Sequence, residues 1–272
     1  MIALYYSYFP FFKPIFVLLV AGLISGALLE YYDLAQHKGL HPQRILGVSC
    51  AAAYMMALYV SLSSLHWQEL PLFTLFIFSI LFFLAYCRAP TNSLVNLAIT
   101  VFGIAYLVIP LGCILKINYF FGNDMQQDGR LWLLYGLAVT KTTDIGAYFV
   151  GKSLGKKKLA ATISPKKTIE GAIGGTCLAV FVSTLFYFFS PSPLFSIISP
   201  LKITFWQSIV MGVLISVLGQ FGDLVESLLK RDAGVKDSSR FIPGLGGVLD
   251  SMDSLVFTLP FLYFVLKIKF PH

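Results

Sequence analysis

Long apolar stretches recur along this chain, separated by short polar or charged connections. A helix that crosses a bilayer needs about 20 mainly apolar residues. Stretches of that kind fall at 14–29, 45–65, 70–87, 94–115, 131–151, 171–189, 205–222 and 249–267. They predict eight spans, and the aromatic run before Pro10 and Pro14 is a candidate ninth. The segment 223–240 begins like a helix but is too charged to face lipid. The connections leave no room for a separate soluble domain. The expected fold is therefore all-α, a polytopic integral membrane protein with about eight or nine transmembrane helices. Its expected organisation is N-terminal spans over 1–130 and a C-terminal region over 131–272 that carries two charged loops.

Composition agrees with this. Of the 272 residues 57% are hydrophobic and only 12% are charged, against about 25% charged in soluble domains. A soluble globular fold is excluded. The first apolar stretch has no small-residue cleavage site and reads as a retained span. Cys50, Cys87, Cys113 and Cys177 lie singly in apolar segments, and the four histidines are scattered. Neither spacing supports a zinc site or a disulfide framework.

The net charge is +7, and its basic residues sit in loops between spans. Membrane lipids and topology account for such a pattern, and nucleic acid is not an expected partner. When the connections are alternated across the bilayer, thirteen Lys and Arg fall on one side and six on the other, with Lys141 inside a span. The richer side holds 152–170 and 223–248, so both charged loops are expected to face the cytoplasm. Trp67, Trp132 and Trp206 fall at span ends on the opposite side, as an interfacial belt would.

Two constellations carry chemistry. The first starts inside the fifth span with Lys141 and Asp144 and continues through Lys156–Lys158 to Ser164-Pro165-Lys166-Lys167-Thr168 and Glu170-Gly171. Asp144, at the cytoplasmic end of an apolar helix, is a functional candidate or a partner for Lys141 one turn earlier. Pro165 is suited to a first helical position with Ser164 as N-cap. Lys166 and Lys167 would then gather at a helix N-terminus as a phosphate cradle. Neither a Walker A loop nor GxGxxG is present, so any nucleotide is held in another way.

The second constellation runs from Gly222-Asp223 to Asp253. Asp223 and Glu226 share a helix face, as do Ser227 and Lys230. Lys230-Arg231 and Lys236-Asp237 follow, then a Gly-rich stretch, then Asp250 and Asp253 three residues apart. Asp223, Asp250 and Asp253 from separate helix ends can form an oxygen-rich site for a hard divalent cation such as Mg2+. Helix capping is the alternative use of such carboxylates. Cations suited to phosphates beside carboxylates suited to Mg2+ point to phosphoryl or nucleotidyl transfer at a bilayer surface.

Over roughly 140–260 the chain resembles the phosphatidate cytidylyltransferase (CDP-diacylglycerol synthase) family. Ser227, Lys230, Arg231, Lys236, Asp237, Ser239, Ile242, Pro243, Gly246, Gly247, Asp250 and Asp253 match that family's signature at its spacing. The blocks around Asp144-x-Gly146-Ala147-Tyr148, Ser164–Gly171 and Gly222-Asp223-Leu224 also resemble it. Leu245 stands where the signature has His, Ser251 where it has Arg, and Ile145 where Thr is usual.

The resemblance implies transfer of a cytidylyl group from CTP to phosphatidate, giving CDP-diacylglycerol and pyrophosphate. It implies Mg2+, with a second cation as an option, and a homodimer by analogy alone. The expected catalytic set is Lys230, Arg231, Lys236 and Asp237. Ser164, Lys166, Lys167 and Ser227 are expected to bind substrate, and Asp144, Asp223, Asp250 and Asp253 to hold metal, Asp144 alternatively orienting Lys141. A bacterial inner membrane is the expected location. The alternatives are another Mg2+-dependent lipid-phosphate transferase or kinase, or a catalytically weakened homologue with a non-enzymatic role.

Overall fold

A computed structural model describes residues 6–9, 11–87, 92–121, 128–190, 201–236, 238 and 246–270. Among these the chain forms α1 (Phe12–His37), α2 (Arg44–Ser63), α3 (Leu70–Cys87), α4 (Ser93–Asn118) and α5 (Gly129–Leu154). A hairpin of β1 (Lys158–Ala160) and β2 (Ser164–Thr168) follows, then α6 (Ile169–Phe189), α7 (Phe205–Asp232), α8 (Val248–Met252) and α9 (Leu255–Lys269). Seven runs are long and apolar enough to cross a membrane: α1 to α4, α6, α7 and the α8–α9 stretch. The expected span at 131–151 is present as α5, but this helix carries Lys141, Asp144 and Lys152 and is not one of the seven. Of the candidate ninth span, residues 1–5 and Pro10 lie outside the described residues, and from Phe12 onward the chain already belongs to α1.

The chain divides into two compact units. The first comprises Met1–Lys116 with Asp232–Met252. Its core is built on α1, where Val17, Val20, Ile24 and Leu28 recur at helical spacing and are buried. Leu18, Leu19 and Leu23, on the other faces of α1, stay exposed. On α3, Phe73, Phe76 and Phe83 are more than half exposed. Such apolar surface is a liability in water but matches hydrocarbon. The buried Tyr32 donates its hydroxyl to the Thr100 carbonyl at 3.0 Å, satisfying a polar group that lipid would leave stranded. In α4 the ladder widens to a π turn at Ile104–Val108, just before Pro110, which has no N–H to give.

The second unit comprises Ile117–Arg231 with Asp253–His272. Its α5 and α6 approach closely where Gly146 meets Gly175 and Gly151 meets Gly171, since small residues let helix backbones touch. Polar contacts add to this packing: Tyr135 OH on α5 lies 2.8 Å from Ser183 Oγ on α6, and Gln220 Nε2 on α7 donates to Ala172 O and Thr176 Oγ1 on α6. Trp132 departs from the expected belt. It is fully buried against Tyr135 and Phe270, whereas Trp67 and Trp206 are exposed.

The hairpin corrects the expected helix start at Ser164. Lys158 pairs with Thr168 and Ala160 with Ser164, so Ser164-Pro165-Lys166-Lys167 is strand. Pro165 is tolerated because a two-stranded ribbon is all edge. The helix begins after Thr168, whose hydroxyl accepts from Gly171 N at 3.1 Å. Pairing with β1 commits Ser164 to strand, and the cap falls to the hydroxyl four residues further on.

Candidate functional site

In the second unit, α7 and the start of α9 bring three carboxylates together. Asp223, Glu226 and Asp253 each offer an oxygen, and these oxygens lie within 4.8 Å of one another. Asp223 and Glu226 are one turn apart on α7, and Asp253 stands in the break between α8 and α9. Gly222 permits the approach: a Cβ there would collide with the Asp253 carbonyl. A helix broken at an acidic residue within an apolar run exposes backbone where a polar site can use it.

Lysines offset this charge. Lys230 Nζ lies 2.6 Å from Glu226 Oε2, in a pair whose carboxylate side chain is 1% exposed. Lys167 Nζ lies 2.6 Å from Asp223 Oδ2, joining the hairpin to α7. Ser227 is buried, and its hydroxyl sits 3.5 Å from Asp223 Oδ1. On α5, Lys141 Nζ is 3.7 Å from Asp144 Oδ2. Ser254 accepts from Lys141 at 3.3 Å and donates to Asp144 at 3.4 Å. The sequence alternative that paired Asp144 with Lys141 therefore has a direct geometric counterpart.

Beside the carboxylates lies a cavity of about 470 Å³. Lys152, Lys158, Lys166 and Lys167 line it, together with Asp144, Asp223, Tyr148, Thr168, Gln220 and the small residues Gly151, Gly171 and Ala172. The hairpin delivers three of these lysines. It is held at both ends: Glu170 accepts from Lys156 N at 3.0 Å and Lys157 N at 3.2 Å, and Arg231 Nε donates to Ile163 O at 3.2 Å. Thus Arg231 is tied to the hairpin turn. Ser164 opens β2 and is half-buried, while Lys166 on the same strand is exposed. The two lysines reach the cavity from a strand rather than from the helix start expected in the sequence.

Asp250 belongs to the first unit. Its carboxylate accepts from Gly247 N at 2.8 Å and from Ser238 Oγ at 2.9 Å. Beside it Glu30, buried on α1, accepts from Val248 N at 2.9 Å and Leu249 N at 2.8 Å and shares the single Ser238 hydroxyl proton with Asp250, its Oε2 lying 2.8 Å from Ser238 Oγ. Two carboxylates thus satisfy the free amides that open α8, a use of acidic side chains at a helix start. A side chain at position 247 would strike both Ser238 and Glu30, which is why glycine stands there. Lys236 follows α7 in the first unit and is exposed. Asp237, Ser239, Ile242, Pro243 and Leu245 lie outside the described residues.

Sequence reasoning missed Glu30 and left Glu226 without a site role. An acidic residue at the edge of an apolar stretch was the available signal for Glu30. For Glu226 the signal was its one-turn spacing from Asp223.

Membrane-spanning helices with a lysine-lined cavity beside an acidic cluster define a polytopic membrane protein able to take an anion and a hard cation. The donors are all carboxylate oxygens, a set that suits hard divalent cations as a class. The chain belongs to the cytidylyltransferase family, which it matches over residues 1–269. It is 44% identical over 146 residues to a phosphatidate cytidylyltransferase of Bacillus subtilis strain 168, covering 54% of this chain and 51% of that protein. It is 36% identical over 204 residues to one of Chlamydia trachomatis, covering 75% and 65%. A third, from Chlamydia pneumoniae, is 32% identical over 280 residues, covering 97% and 86%. The chain spans about half to two thirds of the length of the first two relatives.

Proposed function

We propose that this chain transfers a cytidylyl group from CTP to phosphatidate at the cytoplasmic face of a bacterial inner membrane, giving CDP-diacylglycerol and pyrophosphate. The observation that carries the reading is the cluster of Asp223, Glu226 and Asp253 beside the lysine-lined cavity. The three relatives bear the name of that activity. Cytoplasmic placement rests on the excess of Lys and Arg in the loops around the site.

In this reaction an oxygen of the phosphatidate phosphate attacks the α-phosphorus of CTP. The new P–O bond forms as the bridge to the β-phosphorus breaks, and pyrophosphate leaves with the bridging oxygen. A phosphate monoester is largely dianionic at neutral pH, its second pKa being about 6. No strong general base is needed, so Leu245 in place of histidine is compatible with turnover. What the reaction needs is charge neutralisation and alignment. Lys152, Lys158, Lys166 and Lys167 would bind the phosphates in the cavity. Asp223, Glu226 and Asp253 would hold Mg2+. When bound, the ion supplies positive charge to the triphosphate and its leaving group. Lys230 keeps Glu226 compensated, Lys141 and Ser254 orient Asp144, and Arg231 fixes the hairpin. Asp250 and Glu30 hold the start of α8 in shape.

The test is direct. Purified protein with labelled CTP, phosphatidate and Mg2+ should form a CDP-lipid and pyrophosphate in equal amounts. Failure to form either, with folded protein and all three components present, would overturn the reading.

A further inference from the structure

One face of α5 lines the cationic cavity. Asp144, Ala147, Tyr148, Gly151 and Lys152 recur at steps of three and four residues and all border it. At 1.5 Å per residue, the strip from the Asp144 carboxylate to the Lys152 ammonium is about 12 Å long. Its two ends therefore meet different parts of any nucleotide in the cavity. The ammonium end suits phosphates, and the carboxylate end does not.

Asp144 lies outside the three-carboxylate group. Its Oδ2 accepts from Ser254 Oγ at 3.4 Å and lies 3.7 Å from Lys141 Nζ, so the side chain is held from one side. Its Oδ1 has no hydrogen-bond partner among the described residues, and the side chain is 37% exposed in the cavity wall. An ionised carboxylate only accepts, so this open oxygen calls for a donor.

Triphosphate and lipid phosphate present acceptors to such a group. The donors of the proposed substrates belong to the nucleoside: the ribose hydroxyls and the exocyclic amine of cytosine. Ribose is common to every ribonucleotide. The amine separates cytosine from uracil, which carries an acceptor oxygen at that position, and carboxylates accept from this amine when proteins read cytosine in nucleic acids. Other lining groups serve less well. Lysines only donate, and Asp223 is taken up by Lys167 and Ser227. Gln220 gives its amide to Ala172 O and Ser216 Oγ, which leaves a neutral carbonyl, a weaker acceptor than a carboxylate.

We infer that Asp144 Oδ1 accepts from the cytosine amine and selects CTP over UTP. The inference rests on the proposed function and adds to it the residue that chooses the base. Uracil would set its oxygen against the carboxylate, acceptor facing acceptor, so it is rejected by repulsion as well as by the missing bond.

The test reads nucleotide binding without turnover, by equilibrium dialysis of the protein in detergent with Mg2+ and with phosphatidate omitted. Wild type should bind CTP at least about tenfold more tightly than UTP. Asp144→Asn, whose amide can donate as well as accept, should cut that preference about tenfold and leave the ratio of CTP to dCTP binding unmoved. A wild type without the preference, or a variant that keeps it, would overturn the inference. So would equal weakening of CTP and UTP with a raised Mg2+ requirement, the mark of a metal ligand, or a changed CTP to dCTP ratio, the mark of a ribose contact. Should the variant fail to fold, wild-type protein is given the triphosphate of 2-pyrimidinone riboside, which lacks the amine. Binding about tenfold weaker than that of CTP is expected, and equal binding would sink the inference. Wild type that prefers CTP yet forms no CDP-lipid would refute the proposed reaction alone. Product formation with a preference that survives in Asp144→Asn would refute the role of Asp144 alone.

Discussion

Lys167 Nζ lies 2.6 Å from Asp223 Oδ2, so a strand of the hairpin is pinned by charge to the helix that carries the acidic cluster. One residue of this pair lines the cavity as a cation and the other belongs to the three-carboxylate group, so the contact couples the two halves of the candidate site. Both side chains are partly exposed, at 24% and 34%. The pair therefore contributes little to stability, about 1 kcal/mol or less. Its value lies in position.

Asp223→Asn should accordingly leave the protein folded, its melting temperature in detergent changed by a few degrees at most. CTP-dependent product formation should drop by about 10²-fold or more, as expected when one group that neutralises developing charge is removed. Chelation of divalent ions should abolish wild-type activity, and Mg2+ should restore it. Mg2+ should also raise the wild-type melting temperature by binding the folded state, and Asp253→Asn should lose that rise. A melting temperature of Asp253→Asn that still climbs with Mg2+ would place the ion elsewhere.

Glu226 and Lys230 behave differently because their pair is buried, with side chains 1% and 12% exposed. Removing one partner leaves a charge in a poorly solvated place, at a cost of about 3–5 kcal/mol. Glu226→Leu and Lys230→Met should each destabilise strongly in denaturant unfolding. The double variant should recover most of the loss, since apolar replacement of a whole buried pair is often neutral. Activity should not recover with it, because the third carboxylate is still missing. A double variant as active as wild type would remove Glu226 from the site.

Glu30 accepts from two backbone amides at the start of α8 and shares the Ser238 hydroxyl with Asp250. Glu30→Ala leaves those donors without that acceptor, at a cost of about 1–3 kcal/mol. Glu30→Gln keeps one carbonyl acceptor and should recover part of it. Circular dichroism melts in detergent give the ranking wild type, Gln, Ala. Equal melts for all three would show that water replaces the carboxylate without loss.

The membrane spans were legible in the sequence because a bilayer imposes a local rule: about 20 apolar residues, with every backbone group bonded within the helix. Whichever helices pack together, the rule is met segment by segment. The signature residues were legible for a similar reason, since charge among apolar spans is costly enough to stand out.

Partnerships were not legible in that way. Asp253 joins Asp223 and Glu226 through the close approach at Gly222, whereas Asp250, three residues earlier, is occupied with the amides that open α8. Their spacing made the two aspartates look alike. Glu30 reaches Leu249 across more than two hundred residues of chain. Ser164-Pro165 had the makings of a helix cap until β1 offered it a strand partner. Local sequence specifies which groups need a partner and which backbone shapes are cheap. Choosing among equivalent partners depends on distances between segments far apart in the chain, and those are set when helices pack.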